Sequence, residues 1–152
     1  MALKDILTVQ QSKFLDFFAT KKGMRESFYF TGGTALAEYY LHHRISEDLD
    51  FFNKNEFSSG DILPFIKDSK KELGFNKFEF QHIFNRSMYF LDFGNKGIMK
   101  VEFTYFPFES VDSFLVVNQI NVDSLLDIAV NKLFTIYQQP RGRDYVDLFL
   151  II

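Results

Sequence analysis

The run FYFTGGTALAEYYLHHRISEDLDFF, residues 28–52, constrains the fold of this chain more than any other segment. Within a very apolar stretch it places a glycine pair, Gly32 and Gly33, and then two aspartates, Asp48 and Asp50, with one leucine between them. The fold must bury the flanking aromatic side chains and still give these carboxylates polar surroundings. Three interpretations are open: a turn followed by a solvated edge strand, a metal site, or a phosphate-binding loop coupled to a metal site.

The local pattern predicts two strands joined by a short helix. Residues 28–31 predict an aromatic strand that the glycine pair ends. Thr34 is the predicted N-cap of a helix from Ala35 to about His42. The segment DLDFF predicts the next strand. Because only one short helix separates the glycines from the aspartates, the chain can return beside the glycine loop.

Asp48 and Asp50 are predicted to share one face of their strand, because successive side chains point to opposite faces. Leu49 and Phe51 then pack on the other face. Two neighbouring carboxylates repel each other unless a cation or water neutralises them, and Mg²⁺ takes oxygen ligands of this kind. An exposed edge strand with both aspartates in water is the alternative.

The glycine pair changes the balance between these alternatives. A helix that begins after glycines offers free N–H groups and the positive end of its dipole, and no Cβ obstructs an approaching phosphate. The sequence Gly-Gly-Thr is weak evidence by itself. Glu102 in KVEFTYF is a candidate third acid, because it shares a strand face with Lys100 and Thr104. Its alternative is a solvent-facing strand residue.

Lys132 lies on the apolar arc of a predicted helix, between Leu125 and Ile128 on a helical wheel. A lysine there must extend its ammonium to solvent or meet an anion such as a nucleotide phosphate. On the following helix, Asp144 and Asp147 share one side, and Arg143 precedes Asp147 by four residues. This spacing fits a local salt bridge, or a second cationic group that faces the same pocket.

The rest of the chain predicts an α+β domain in which helices flank a mixed sheet. Helical periodicity covers residues 3–19, ending before Gly23, and residues 61–73 and 123–138, and a last helix opens near residue 143. Residues 77–106 alternate as strands, with GNKG at a hairpin turn. The last helix is apolar on most of its surface, so further chain or a partner is expected to cover it.

Composition limits the classes of site and partner. The 152 residues, 47% of them hydrophobic, predict a single domain over residues 1–152. Cysteine is absent and the three histidines lack zinc-ligand spacing, so any metal is expected to be held by oxygen. The net charge of −3 argues against a domain that mainly coats phosphate backbones. No signal peptide or membrane-spanning run is evident, so a cytoplasmic protein without a membrane partner is expected.

The segments GGTALAEYYLHHRISEDLDFF and NKLFTIYQQPRGRDYVDL together resemble the AbiEii/AbiGii toxin family of bacterial nucleotidyltransferases. The glycine loop, the H-R-x-S-x-D-L-D-F-F entry, the helical lysine and the R-D-x-x-D-L element occur in the family's order, over residues 28–148. The resemblance implies a polymerase-β-like core that transfers a nucleoside monophosphate from an NTP to an acceptor hydroxyl, with tRNA as one acceptor. It also implies Mg²⁺ or Mn²⁺ as cofactor and a cognate antitoxin as partner in an abortive-infection system.

The resemblance also assigns roles to individual residues. It implies that metal is bound by acids on two strands and that nucleotide is bound by the glycine loop, the serine of the strand entry and two cations. The implied metal ligands, which are also the catalytic residues, are Asp48, Asp50 and Glu102, and the implied nucleotide-binding residues are Gly32, Gly33, Thr34, Ser46, Lys132 and Arg143. It leaves the roles of Asp144 and Asp147 open.

The chain departs from the family at two places. Gln139 stands where the family often has an arginine, and the family's C-terminal helical region is missing or cut short at Ile152. The alternative function is a catalytically silent relative that binds a protein, or that stacks nucleic-acid bases on its aromatics. With 21 Phe and no Trp, core packing accounts better for the aromatic content.

Overall fold

Helices and strands alternate in the first half of the computed structural model, which describes residues 6–152. The helices are α1 (Val9–Ala19), α2 (Lys22–Ser27), α3 (Gly32–Leu36), α4 (Ser59–Leu73), α5 (Leu125–Gln138) and α6 (Gly142–Ile151), and α3 continues as a turn of π-helix, Ala37–Leu41. The strands are β1 (Tyr29–Thr31), β2 (Leu49–Asn53), β3 (Lys77–Ile83), β4 (Arg86–Asp92), β5 (Ile98–Tyr105), β6 (Leu115–Val117) and β7 (Ile120–Val122). A short 3₁₀ turn, Gly94–Lys96, joins β4 to β5.

The strands form one mixed sheet in the order β3-β4-β5-β2-β1-β7-β6. Strand β2 pairs parallel with β5 and antiparallel with β1, and β1 pairs parallel with β7. The remaining pairs, β3 with β4, β4 with β5 and β6 with β7, are antiparallel. Strand β2, which contains Asp50 and directly follows Asp48, therefore lies in the centre of the sheet. This position excludes the edge-strand interpretation, and the architecture confirms the α+β class.

One face of the sheet is apolar and carries the core. Leu49 and Phe51 of β2 and Val101 and Phe103 of β5 are completely buried on this face. The Phe51 ring stacks on Phe18 of α1 at 4.6 Å and on Phe103 at 5.3 Å between centroids. Each buried phenylalanine stabilises the fold by about 1.5–3 kcal/mol relative to an exposed one. The aromatic residues of the opening run thus hold β2 in place and leave Asp50 on its other face.

The start of α3 differs from the prediction. The helix begins at Gly32, one residue after β1, and Thr34 is not its N-cap. The Thr34 hydroxyl instead donates a hydrogen bond to the backbone carbonyl of Asp48. Gly32 has φ +83°, a conformation that side chains with a Cβ rarely adopt, so this position requires glycine. The sequence predicted a break at the glycines but placed the helix start too late.

Most other elements agree with the sequence, and three differ. Residues 6–8 are not helical, while residues 1–5 of the predicted first helix lie outside the described residues. Gly23 lies inside the short helix α2, which was not predicted. The hairpin of β6 and β7 was also not predicted. Its turn uses Asn118 and Gln119 at φ 48° and 69°, so it lacks the Asn-Gly signal that usually marks a two-residue hairpin.

Candidate active site

A row of polar side chains crosses the face of the sheet opposite the core. In the strand register, Thr31 of β1 pairs with Asp50 of β2, and Asp50 pairs with Glu102 of β5. Paired residues point to the same face of a sheet, so the Asp50 and Glu102 carboxylates are neighbours. Asp48 directly precedes β2 and lies within 3.9 Å of the Lys100 ammonium on β5. The sheet therefore brings the three predicted acids to one surface.

Asp50 is the most strongly perturbed acid of this row. Burial, followed by the negative charges of Glu102 and Asp48, raises its pKa to about 7, and the charges of Lys100 and Lys132 partly oppose that rise. A carboxylate in this position gains from an added positive charge, because the charge removes the cost of ionising it.

Glu102 is buried, so the solvent-facing alternative for this residue is wrong. Arg86 of β4 donates two hydrogen bonds to its Oε1, from Nε at 3.0 Å and from Nη2 at 2.5 Å. The Lys100 ammonium is 3.6 Å from the same oxygen, and the Thr104 hydroxyl is 3.3 Å from Oε2. Sequence reasoning placed Lys100 and Thr104 beside Glu102 but missed Arg86, because its approach depends on the pairing of β4 with β5.

The three acids are neighbours without forming a ready metal cage. Within residues 6–152, no three His, Asp or Glu side chains converge closely enough to hold a metal ion as the side chains stand. Arg86 and Lys100 engage Glu102, and Lys100 lies between Glu102 and Asp48. The donors suit a hard cation, but the carboxyl groups must shift to share one.

The glycine pair lies between this acidic row and cationic side chains that include Arg44. A Cβ at residue 32 would lie 2.5 Å from Oδ2 of Asp50, so the carboxylate rests directly against the Gly32 backbone. A Cβ at residue 33 would lie 2.7 Å from Nη2 of Arg44 and 3.2 Å from Oγ of Ser46. The first glycine thus adjoins an acid, and the second adjoins a cation and a hydroxyl.

Arg44 is held by Asp147, which belongs to α6, 103 residues later in the chain. The Arg44 guanidinium donates from Nε to Oδ1 at 2.9 Å and from Nη2 to Oδ2 at 2.7 Å. Nε2 of His43 lies 2.6 Å from Oδ1, and the Lys132 ammonium lies 2.8 Å from Oδ2. Burial raises the pKa of Asp147, but the hydrogen bonds from Arg44, His43 and Lys132 outweigh burial and hold it far below its usual range.

Asp144 completes the cationic cluster, defined here as Arg44, Lys132 and Arg141 around Asp144 and Asp147. Lys132 is 2.9 Å from Oδ1 of Asp144, and Nε of Arg141 donates to Oδ2 at 2.9 Å. Burial raises the pKa of Asp144, and the hydrogen bonds from Lys132 and Arg141 reverse that rise and lower it overall. Three cationic side chains therefore share two fully buried aspartates, which leaves the cluster with an excess of positive charge.

The structure decides between the sequence alternatives for α5 and α6. Lys132 does not extend to solvent, because its ammonium meets the two buried aspartates. Arg143 is exposed, and within the described part of the chain it makes no ion pair, so the predicted salt bridge to Asp147 is wrong. Arg141, two residues earlier, forms the local bridge to Asp144 instead. The contacts of His43 and Arg44 were missed, although both belong to the HHR segment that precedes Ser46.

A separate cavity of about 630 Å³ lies away from the acids. Lys21, Met24, Asn53 and Phe65 are among its lining residues, so it opens where β2 ends and α4 packs against α1 and α2. Asp48 and Asp50 are at the opposite end of β2 and do not line it. Cavity size therefore does not locate the polar site of this protein.

The comparisons with known proteins concern the family and the fold. The family model described as nucleotidyl transferase AbiEii toxin, type IV TA system, matches residues 16–152. No curated protein matches the chain in sequence. In the part of the chain that the structure describes, no helix combines the length and the apolar character needed to cross a membrane.

Several solved structures share the fold. A candidate nucleotidyltransferase from H. pylori superimposes with a TM-score of 0.71 at 18% identity over 93% of this chain, and JHP933 from Helicobacter pylori with 0.69 at 18% identity over 93%. The chain spans 64% and 62% of the lengths of these two proteins. The Megavirus polyadenylate synthase gives 0.59 at 14% identity over 94% of this chain and 30% of its own length. At these identities the likeness establishes a nucleotidyltransferase fold.

Proposed function

The chain belongs to the AbiEii family of nucleotidyl transferase toxins, and from that premise we propose that it transfers a nucleoside monophosphate from an NTP to an acceptor hydroxyl, with Mg²⁺ or Mn²⁺ as cofactor. The placement of Gly32 and Gly33 supports this proposal most directly. Gly32 adjoins Asp50 in the acidic row, and Gly33 adjoins Arg44 in the cationic cluster. A triphosphate at the glycine pair would meet metal-binding acids on one side and cations on the other.

The acidic row fits a divalent metal by the chemistry of its donors. Burial, Glu102 and Asp48 raise the pKa of Asp50 to about 7, and a bound cation would relieve that penalty. We therefore assign metal binding and catalysis to Asp48, Asp50 and Glu102. When bound, the metal would neutralise charge on the reacting phosphate and the leaving pyrophosphate. Arg86 holds the Glu102 carboxylate in place through two hydrogen bonds.

The phosphates of the nucleotide are assigned to the glycine loop. The first N–H groups of α3, at Gly32, Gly33 and Thr34, point out of the helix start, and the Ser46 hydroxyl lies beside Gly33. Thr34 would contribute its backbone only, because its buried hydroxyl bonds the Asp48 carbonyl. Contacts of Lys132 and Arg143 with the nucleotide stay predictions.

The family membership supports proposals for the acceptor and the partner. We propose tRNA as the first acceptor to test, and a cognate antitoxin as the partner that restrains the toxin in an abortive-infection system. The polar face of the sheet beside Asp50 is the surface on which an acceptor hydroxyl would approach. Action in the cytoplasm is expected, since NTPs and tRNA are found there.

Label transfer from each α-labelled NTP to a tRNA pool tests the proposal, with and without Mg²⁺. We expect the wild type to label RNA in the presence of metal, and Asp48→Asn and Asp50→Asn to abolish labelling, because each removes a ligand charge at nearly constant volume. Asp68→Asn on α4 is the matched control, since Asp68 is exposed and distant in the chain from the site. It should retain wild-type activity.

Two results would contradict the assignment in different ways. If both acid variants transfer nucleotide as well as the wild type does, Asp48 and Asp50 are not the metal ligands. If the wild type neither transfers nucleotide nor binds any NTP with metal, the catalytically silent binding module becomes the better description.

A further inference from the structure

Arg44 contacts the glycine loop at Gly33, and the proposed function assigns no role to this contact. Its Nη2 is 2.7 Å from the position of a Cβ on Gly33, while Ser46 approaches the same position at 3.2 Å. Its side chain is 22% exposed, so part of the guanidinium still faces solvent at the loop. A cation in this position is accessible to a small anion that reaches Gly33.

The hydrogen-bonding capacity of Arg44 is only partly used. A guanidinium has five N–H donors. Asp147 takes one donor from Nε and one from Nη2, and the Ile45 carbonyl takes one from Nη1 at 3.4 Å. One donor on each terminal nitrogen is left, and Nη2 is the nitrogen nearest Gly33. Asp147 therefore fixes one edge of the guanidinium and leaves the other able to bind two phosphate oxygens.

The other cations of the site are less suited to this contact. Lys132 is only 9% exposed and spends its ammonium on two buried aspartates. Arg86 and Lys100 pair with Glu102 in the acidic row. Arg141 pairs with Asp144, and Arg143 is exposed on α6. Among the described residues, the cation nearest to a Cβ placed on Gly33 is Arg44 rather than either of these two arginines.

We propose that Arg44 is the phosphate-binding cation of this site and grips the polyphosphate tail of the nucleotide at Gly33. Asp147 is then a positioning residue, since it acts on the nucleotide only through Arg44. This assignment rests on the proposed function, because it takes the ligand to be an NTP. It predicts recognition of the polyphosphate itself, independent of the base.

Inorganic tripolyphosphate, without metal, is the probe that isolates this contact. Calorimetric titration should show tripolyphosphate binding to the wild type, and Arg44→Gln should weaken it by at least about tenfold, the loss expected for a charge-assisted hydrogen bond. Lys67→Gln, which removes an exposed charge on α4, is the matched control and should bind as the wild type does. Unchanged affinity in Arg44→Gln would overturn the proposal.

A second measurement uses the unaltered protein, so it does not depend on the folding of a variant. Phenylglyoxal modifies accessible arginines, and mass spectrometry reports the modified positions. Tripolyphosphate should protect Arg44 and leave Arg25 of α2, which belongs to no assigned site, as reactive as before. Equal modification of Arg44 with and without tripolyphosphate would refute the contact.

The two proposals fail in distinguishable ways. Metal-dependent transfer together with unprotected Arg44 would leave the function standing and remove the arginine assignment. Protection of Arg44 in a protein that transfers no nucleotide would keep the polyphosphate site and remove the reaction.

Discussion

Replacing Lys132 with methionine should destabilise the protein. By sequence alone the change is neutral or mildly stabilising, because a lysine that reaches solvent from an apolar arc loses little when its charge is removed. In the structure the Lys132 ammonium bridges Asp144 and Asp147, whose side chains are 0% exposed. Removing one partner of a buried pair costs about 3–5 kcal/mol. In the variant, Arg141 still pairs with Asp144, and Arg44 and His43 still pair with Asp147.

These remaining partners reduce the expected loss to about 2–4 kcal/mol of unfolding free energy. For a domain of this size the melting temperature should fall by roughly 5–15 °C. Thermal and urea unfolding at neutral pH measure the loss, and Lys67→Met, an exposed lysine on α4, is the control that should melt with the wild type. A Lys132→Met protein that melts with the wild type would refute the argument from buried charge.

The difference in unfolding free energy between the wild type and Lys132→Met should depend on pH. The folded-state pKa values of Asp144 and Asp147 are lowered, so the stability they contribute is present above their ordinary pKa near 4. That stability is lost as the pH falls below about 4 toward the lowered values. The gap between wild type and Lys132→Met should therefore be widest at neutral pH and should narrow in acid. A gap that widens in acid would contradict the ion-pair explanation.

Three further predictions concern the glycine loop and two acids, Asp50 and Asp123. Gly32→Ala should lower the free energy of unfolding in urea by more than about 1 kcal/mol, because it strains a left-handed residue and drives a Cβ into Asp50. The control Gly23→Ala, in α2, places its Cβ in open space and should be neutral or stabilising. Asp50→Asn should raise the melting temperature of the metal-free protein, because it removes a carboxylate whose ionisation burial, Glu102 and Asp48 disfavour. Burial, and then the charge of Asp127, raises the pKa of Asp123 to about 7, although a hydrogen bond from Thr31 opposes the rise. The stability that protonated Asp123 contributes is therefore complete below about pH 4 and is lost as the pH rises through 7. Asp123→Asn should flatten the dependence of stability on pH between these limits, and a pH profile like that of the wild type would contradict this.

The fold was largely predictable because its strands carry the alternation that a half-buried sheet requires. In β2 and β5 the alternation separates Phe51 and Phe103 from Asp50 and Glu102, and the structure confirms that separation. The β6–β7 hairpin was not predictable in the same way, because Asn118 and Gln119 adopt positive φ without a glycine. Local residue preferences could not predict this turn, because the pairing of β7 with β1, which is distant in the chain, stabilises it.

The candidate site was predictable only where its residues are close in sequence or share a strand face. Asp48 and Asp50 were found from period-two spacing, and Glu102 from its strand face. The contact between Arg44 and Asp147 joins residues 103 positions apart, so no local pattern contains it. Lys132 shows the limit most clearly. The helical wheel showed that its charge needed an anion, but only the packing of α5 on α6 shows that this anion is a pair of aspartates.

The charges in the apolar opening run have a common physical reason. Groups from distant elements compensate these charges: Asp48 lies 3.9 Å from the Lys100 ammonium of β5, and Arg44 pairs with Asp147 of α6. The compensation is uneven, since the acidic row sets three acids against two cations, Arg86 and Lys100, and the cationic cluster sets three cations against two aspartates. A protein that needed these groups only for stability would gain from neutral pairs or apolar replacements. Two opposite excesses on either side of Gly32 and Gly33 instead match a ligand that carries both signs, as a metal-bound triphosphate does.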